Sequence, residues 1–325
     1  MRTARIATAL LVCLTAACSE PAAPDPSDPT PTSPTVPWPS ATATSAPAPD
    51  RVPPLRALDF DVRRAEAVVA RLAGEVGPRH GTSAAFSRAA RWTARRFTSM
   101  GYEVTRQRFG VPAGVSWGVP VAAGRSENVV ARPWGLDRHE PHLVVGAHLD
   151  TVPQAPGAED NGSGVAVLLA AAAVADRRTR LPVVWVAFGA EEPRGPTDDD
   201  HHYGSRAYVA SLPPAARSAV RGMVSLDRVG VGGVVPVGSA GASDPVQRSL
   251  LAAGRRSGVP TVADPGQRSS DHWSFVREGL PGARLGSTPY AAYHSADDRV
   301  DVVDPNQLRR TGRLLLAWLA PQGAR

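Results

Sequence analysis

A three-layer α/β fold, with helices on both faces of a mixed, mostly parallel sheet, is predicted by three observations. The apolar runs at 143–147 and 181–188 are continuous rather than alternating, which is the signature of strands covered on both faces. A helical stretch from about Gly162 to Ala175 lies between them, and strand, helix, strand in that order implies a parallel unit with a right-handed crossover. The chain has 325 residues with 42% hydrophobic content, enough for one large core, and no internal repeat or second apolar core calls for another folded domain.

The elements can be taken in order. Phe60 to Val76 and Thr82 to Met100 carry apolar residues at helical spacing, the second with Thr82 as its expected cap and Gly101 as its stop. Tyr102 to Phe109 and Glu127 to Arg132 alternate like strands, followed by the two buried runs and their intervening helix. Met223 to Leu226, Val234 to Val237, Val259 to Val262 and Ala283 to Leu285 add short strands, with helices predicted at Pro245 to Ser257 and Asn306 to Leu319.

The first 57 residues have a different character. Arg2 and Arg5 precede an apolar run from Ile6 to Val12 that ends in Thr15, Ala16, Ala17 and Cys18, so residues 1–18 read as an export signal. Cys18 stands where a lipobox places the cysteine that receives lipid, which makes a membrane-anchored lipoprotein the expectation and plain secretion the alternative. Residues 19–57 are rich in Pro, Ser, Thr and Ala and read as a disordered tether, leaving 58–325 as the folded domain. No segment offers about 18 uninterrupted apolar residues, so no membrane-spanning helix is expected.

The only cysteines are Cys13 and Cys18, which excludes a disulfide framework or a thiolate metal site in the folded region. The net charge is +6, but every basic side chain is Arg and none is clustered, so no nucleic-acid partner is expected.

Chemistry concentrates where strands end. The run at 143–147 leads into His148 and Asp150, the next helix is preceded by Asp160, the run at 181–188 is followed by Glu191 and Glu192, and the strand at 223–226 by Asp227. In open α/β sheets the carboxyl edge is where ligands bind. Near the C-terminus Tyr293 and His294 add one more imidazole, after a loop with Asp271 and His272. Imidazoles and carboxylates without sulfur suit a hydrolytic zinc pair that shares a bridging carboxylate, with ions about 3.5–4 Å apart. One of the adjacent glutamates could bind metal while the other serves as base.

The ordered motifs GAHLDT, EDNGSG, EE, SLDRVG, SDHWSF and YHSADD resemble those of M28 zinc aminopeptidases, over roughly Val144 to Asp304. The resemblance implies the zinc-dependent exopeptidase fold and two zinc ions. It makes His148 and Asp227 ligands of one ion, Glu192 and His294 ligands of the other, and Asp160 the bridge. Glu191 becomes the general base, Tyr293 the donor to the oxyanion, and Asp150 the acceptor of the free N–H of His148. Asp271 is given a supporting hydrogen-bond role and His272 a structural one. The implied substrates are peptides with a free N-terminus. Asp198 to His202 reads as a solvated loop, and Arg228 stands where the family often has an uncharged residue.

Two rival functions remain open. Glutaminyl cyclases resemble this chain and use a single zinc, but they typically carry Trp where Tyr293 stands. A non-catalytic binding shell usually loses ligands or the base, whereas here all are present.

Overall fold

The computed structural model describes residues 53–320, apart from 177, 242 and 243. The expected export signal, Cys18 and most of the tether lie outside the described residues.

Helix α1 (Val62–Val69) runs on into a wider-wound segment over Ala70–Val76 and is followed by α2 (Ala84–Ser99). Strand β1 (Glu103–Val111), a small hairpin of β2 (Gly114–Ser116) and β3 (Val119–Val121), β4 (Gly124–Arg132) and β5 (His142–His148) come next. Then follow α3 (Gly164–Ala175), β6 (Val183–Phe188), α4 (Tyr203–Ala210), α5 (Pro214–Ala219) and β7 (Val220–Leu226). The chain continues through β8 (Val235–Ser239), α6 (Pro245–Ser257), β9 (Thr261–Pro265), α7 (His272–Val276), β10 (Gly282–Leu285) and α8 (Pro305–Leu319).

The main sheet has the order β1-β4-β6-β5-β7-β10-β8-β9. Its centre, β6-β5-β7-β10, is parallel, while β4 on one side and β8 on the other join it antiparallel. The predicted mixed, mostly parallel sheet is therefore what the chain forms. Strand alternation sorts the core into two layers. Leu143, Val145, Trp185 and Ala187 pack in one cluster with α1, α2, α3 and α8, whereas Val144, Val184, Val186 and Phe188 pack in the other with Tyr208 of α4 and Phe275 of α7. Helix α3 has almost no polar face because it lies between α1, α8 and the sheet. Gly146 of β5 has no room for a side chain, since a Cβ there would meet Phe188 Cε2 at 2.3 Å.

Local details differ from expectation where the backbone decides. The cap of α2 is Ser83, not Thr82: Ser83 has the extended φ/ψ a cap requires, and its hydroxyl accepts the Phe86 N–H at 3.0 Å. Thr82 instead donates to the Ala122 carbonyl at 3.2 Å. The β2–β3 hairpin and helices α4, α5 and α7 were not foreseen, being too short to show a period. Pro245 to Ser257 matches α6, which opens on the Asp244 cap and closes at Gly258 with φ +68°.

Candidate metal centre

The parallel strands β5, β6 and β7 point their carboxyl ends the same way, so His148, Glu191, Glu192 and Asp227 converge without any long-range bend. Asp160 arrives from the loop that leads into α3, and His294 from the loop between β10 and α8. The sequence-predicted ligands are thus brought together, and all lie at 9% exposure or less.

Asp160 stands between the two imidazoles. Its Oδ1 is 3.1 Å from His148 Nε2 and its Oδ2 2.9 Å from His294 Nε2. Asp227 Oδ1 lies 3.7 Å from His148 Nε2, and Glu192 Oε2 lies 3.5 Å from His294 Nε2. Among the described residues three groups of ligand atoms lie within 4.8 Å of one another, His148–Asp160–Asp227 and Asp160–Glu192–His294, which share Asp160, and His148–Glu191–Glu192, which brings in the neighbouring glutamate.

Electrostatics say the same in another way. Burial opposes the charge on Asp160, but hydrogen bonds from His148 and His294 prevail and hold its carboxyl below the usual range. Burial likewise opposes Asp227, which His148 and the Arg228 guanidinium keep ionised. For Glu192, burial together with Asp160 and Glu191 outweighs the help of His148 and pushes its carboxyl well above the usual range. Glu192 Oε1 and Asp227 Oδ1 are buried with no hydrogen-bond partner among the described residues. Buried acceptors of this kind, in a crowd of carboxylates with imidazole nitrogens and no sulfur, fit divalent zinc.

The surrounding residues are placed by backbone hydrogen bonds. Asp298 Oδ1 accepts the Glu159 N–H at 2.8 Å and its Oδ2 the Asp160 N–H at 3.1 Å, fixing the loop that carries Asp160. Asn161 donates to the Leu226 carbonyl at 2.8 Å and accepts the Gly164 and Arg228 N–H groups at 3.0 and 3.2 Å, tying α3 to the end of β7. Fully buried Arg79 donates to the carbonyls of Leu72, Gly77, Leu149, Pro156 and Gly157.

Several expected roles change. The Asp150 carboxylate accepts the backbone N–H groups of Glu191 at 3.0 Å and Glu192 at 3.2 Å. His148 Nδ1 faces the Asp150 backbone oxygen at 3.2 Å, while the carboxylate is 3.8 Å away. Asp150 therefore fixes the turn of the two glutamates, and its main chain rather than its carboxylate meets the imidazole. Asp271 was expected to hydrogen-bond; among the described residues neither of its buried oxygens meets a donor at hydrogen-bond geometry, and burial with the nearby Glu191 charge outweighs the help of the Ser205 hydroxyl and pushes its carboxyl up to about 7. His272, expected to be structural, is buried with Nε2 2.9 Å from the Gln267 carbonyl oxygen.

The run Asp198 to His202 is only partly a solvated loop. His202 turns inward, is 4% exposed, and places Nε2 3.1 Å from Glu191 Oε1. Its φ of +57° is what turns the chain inward, and no periodicity in the sequence signals that conformation. The one available signal was a histidine pair soon after the Glu191–Glu192 doublet. Tyr293 lines the same cleft, its ring stacked on His294 with centroids 3.6 Å apart. Burial, seconded by Asp160, keeps its hydroxyl protonated. Trp117, at the tip of the β2–β3 hairpin, closes one side with its ring 4.3 Å from that of His294.

Comparison with known proteins agrees with this geometry. Aminopeptidase YwaD of Bacillus subtilis is 29% identical over 210 residues, covering 59% of this chain and 44% of that protein. The chain spans less than half the length of this and other curated bacterial relatives. Among solved structures, a zinc aminopeptidase from Bacillus subtilis superposes with a TM-score of 0.71 at 19% identity, covering 80% of this chain and 94% of that one. A glutaminyl cyclase from Porphyromonas gingivalis does so with 0.67 at 21% identity, covering 80% and 97%. At these identities the likeness is one of fold. The profile of peptidase family M28 matches residues 128–319, which include every strand end and loop that delivers the cluster, and the chain belongs to that family.

Proposed function

We propose that this domain is a zinc-dependent aminopeptidase that removes N-terminal residues from peptides. The observation that carries the reading is Asp160, whose two oxygens face His148 on one side and His294 on the other. His148, Asp160 and Asp227 would hold one zinc ion, and Asp160, Glu192 and His294 the second. Bound zinc supplies Lewis acidity, which acidifies water and polarises a peptide carbonyl.

The chain's own residues do the rest. Glu191, set by Asp150 through its backbone and by His202 through its side chain, takes the proton of the attacking water and passes it to the departing amine. Tyr293, kept protonated, donates to the oxygen that gains charge. The intact set of base and ligands speaks against a non-catalytic shell. The fold is common to aminopeptidase and cyclase relatives, so Tyr293 in place of Trp is what favours hydrolysis over cyclisation.

Glu191→Gln tests the reading: turnover of an aminoacyl p-nitroanilide should fall by roughly 10²–10⁴-fold with zinc content unchanged. Equal turnover by the variant, or release of N-terminal pyroglutamate from Gln-peptides by protein carrying a single zinc, would overturn it.

Export and a lipid anchor at Cys18 are proposed on the leader sequence alone. No helix among the described residues is long and apolar enough to cross a membrane. Cys18→Ala should abolish labelling by a clickable fatty acid and release the protein into the medium; unlabelled wild-type protein in the medium would rule the anchor out.

A further inference from the structure

The cleft over the metal cluster has an unusual charge inventory. Among the described residues that line it, Arg228 is the one permanent cation, beside the carboxylates and imidazoles of the cluster, the base Glu191 and the His201–His202 pair. No further carboxylate stands among those lining residues. An arginine keeps its charge under all working conditions, and its planar fork matches a carboxylate.

Arg228 is held in place from several directions. Its φ is +54°, a conformation that a side chain this large rarely adopts, and the backbone is pinned there by Asn161 Oδ1, which accepts its N–H at 3.2 Å, and by the Ser287 N–H, which donates to its carbonyl at 2.9 Å. Nη2 donates to Ser287 Oγ at 2.9 Å, Nε lies 3.5 Å from Asp227 Oδ1, and the guanidinium sits 4.5 Å above the centre of the Tyr293 ring. Nη1 makes no hydrogen bond among the described residues. With zinc on the cluster the ligand charges are offset, and the guanidinium is left as a fixed cation facing the substrate.

We infer that Arg228 is a specificity-determining residue that binds a carboxylate of the substrate through its free Nη1 edge, so that the enzyme favours peptides with a negative charge beside the scissile bond. The inference rests on the peptidase reading above. Two sources could supply the carboxylate, the side chain of an N-terminal Glu or Asp and the C-terminus of a dipeptide.

The experiment compares Glu- with Gln-p-nitroanilide, and the dipeptide Leu-Gly with Leu-glycinamide, using zinc-loaded wild type, Arg228→Met and Arg228→Lys. Ratios of kcat/KM taken within one preparation cancel any change in zinc loading. The wild type should favour the charged member of at least one pair. Arg228→Met should lose that ratio by roughly 10- to 100-fold, as expected for a charged hydrogen bond, and Arg228→Lys should restore part of it. The pair that responds identifies the source. Wild-type hydrolysis without preference in either pair, or ratios unchanged in Arg228→Met, overturns the inference and leaves the peptidase reading standing. If zinc-loaded protein hydrolyses nothing, the peptidase reading fails, and calorimetric binding of L-glutamate against L-glutamine and of Leu-Gly against Leu-glycinamide still decides the role of Arg228: discrimination lost in Arg228→Met supports it, and equal binding overturns it.

Discussion

The two halves of the metal cluster are built differently. His148 is the last residue of β5 and Asp227 directly follows β7, so the sheet itself sets their separation, and their side chains are 2% and 4% exposed. Behind them, Ser225 and Ser270 hydroxyls meet at 2.8 Å and Asn161 ties down the β7 end. Glu192 and His294 come from turns. His294 has φ +55°, its Nδ1 has no hydrogen-bond partner among the described residues, and its ring is kept in place by Tyr293 and Trp117. One half is thus fixed by topology and the other by aromatic packing on a loop. If the cluster holds the two ions proposed, the sheet half should bind its ion more tightly, and the loop half should be the one that loads and empties.

Asp160 belongs to both halves, so its loss should erase the difference. Asp160→Asn is expected to leave no stable zinc and to cut turnover by more than the roughly 10–100-fold typical of changing a ligand's supporting partner. One ion retained at full affinity would break the comparison.

Next in size is the contrast between His294→Ala and His148→Ala. After dialysis against a weak chelator, His294→Ala should keep about one zinc per chain in the sheet half, as expected of a pre-organised site, while His148→Ala should keep less. The reverse order would show that packing on the loop holds metal better than the strand ends do.

Asp150 joins the halves through the turn between β6 and α4. Asp150→Ala leaves the Glu191 and Glu192 N–H groups buried without an acceptor, and should destabilise the protein by about 1–3 kcal/mol for each, read from denaturant midpoints. Asp150→Asn, which keeps one acceptor oxygen, should recover a good part of it.

At neutral pH the smallest effect concerns how dry the backing of the sheet half is. Burial, with help from Arg284, lowers the His272 imidazole to about 3 from its usual 6.5. The unfolded chain then takes up a proton as pH falls below about 6.5 while the folded one does not, so this residue's contribution is complete above that pH and is lost between about 6.5 and 3. His272→Asn should reduce the fall in stability over that window by at most about 1.4 kcal/mol per pH unit. An unchanged slope would mean that water reaches the backing.

What could be read in advance follows the same division. His148, Asp227 and the two glutamates were legible because each directly follows an apolar run whose strand character is plain. The inward turn of His202, the tie that Asn161 makes between α3 and the end of β7, and the grip of Asp298 on the Asp160 loop were not. They depend on left-handed backbone and on contacts across long separations, such as 138 residues from Asp298 to Asp160. The hairpin that carries Trp117 was missed for a related reason: its turn places Trp117 at φ +45° before Gly118 at +82°, a use of tryptophan that no turn preference suggests. Likewise the resemblance implied the N–H of His148 as the partner of Asp150, when the two backbone donors beyond it were invisible until β5 and β6 lay side by side.

Arg79 gives the site a property of time as well as of place. One guanidinium, fully enclosed, gathers carbonyls from the segment after α1, from the end of β5 and from the loop before Asp160. Peeling that loop away would strand a buried cation and several carbonyls at once, so the loop has no inexpensive private opening. Its amides, Asp160 included, should exchange with solvent deuterium only as fast as the whole domain unfolds, and a protease should find no early cut there.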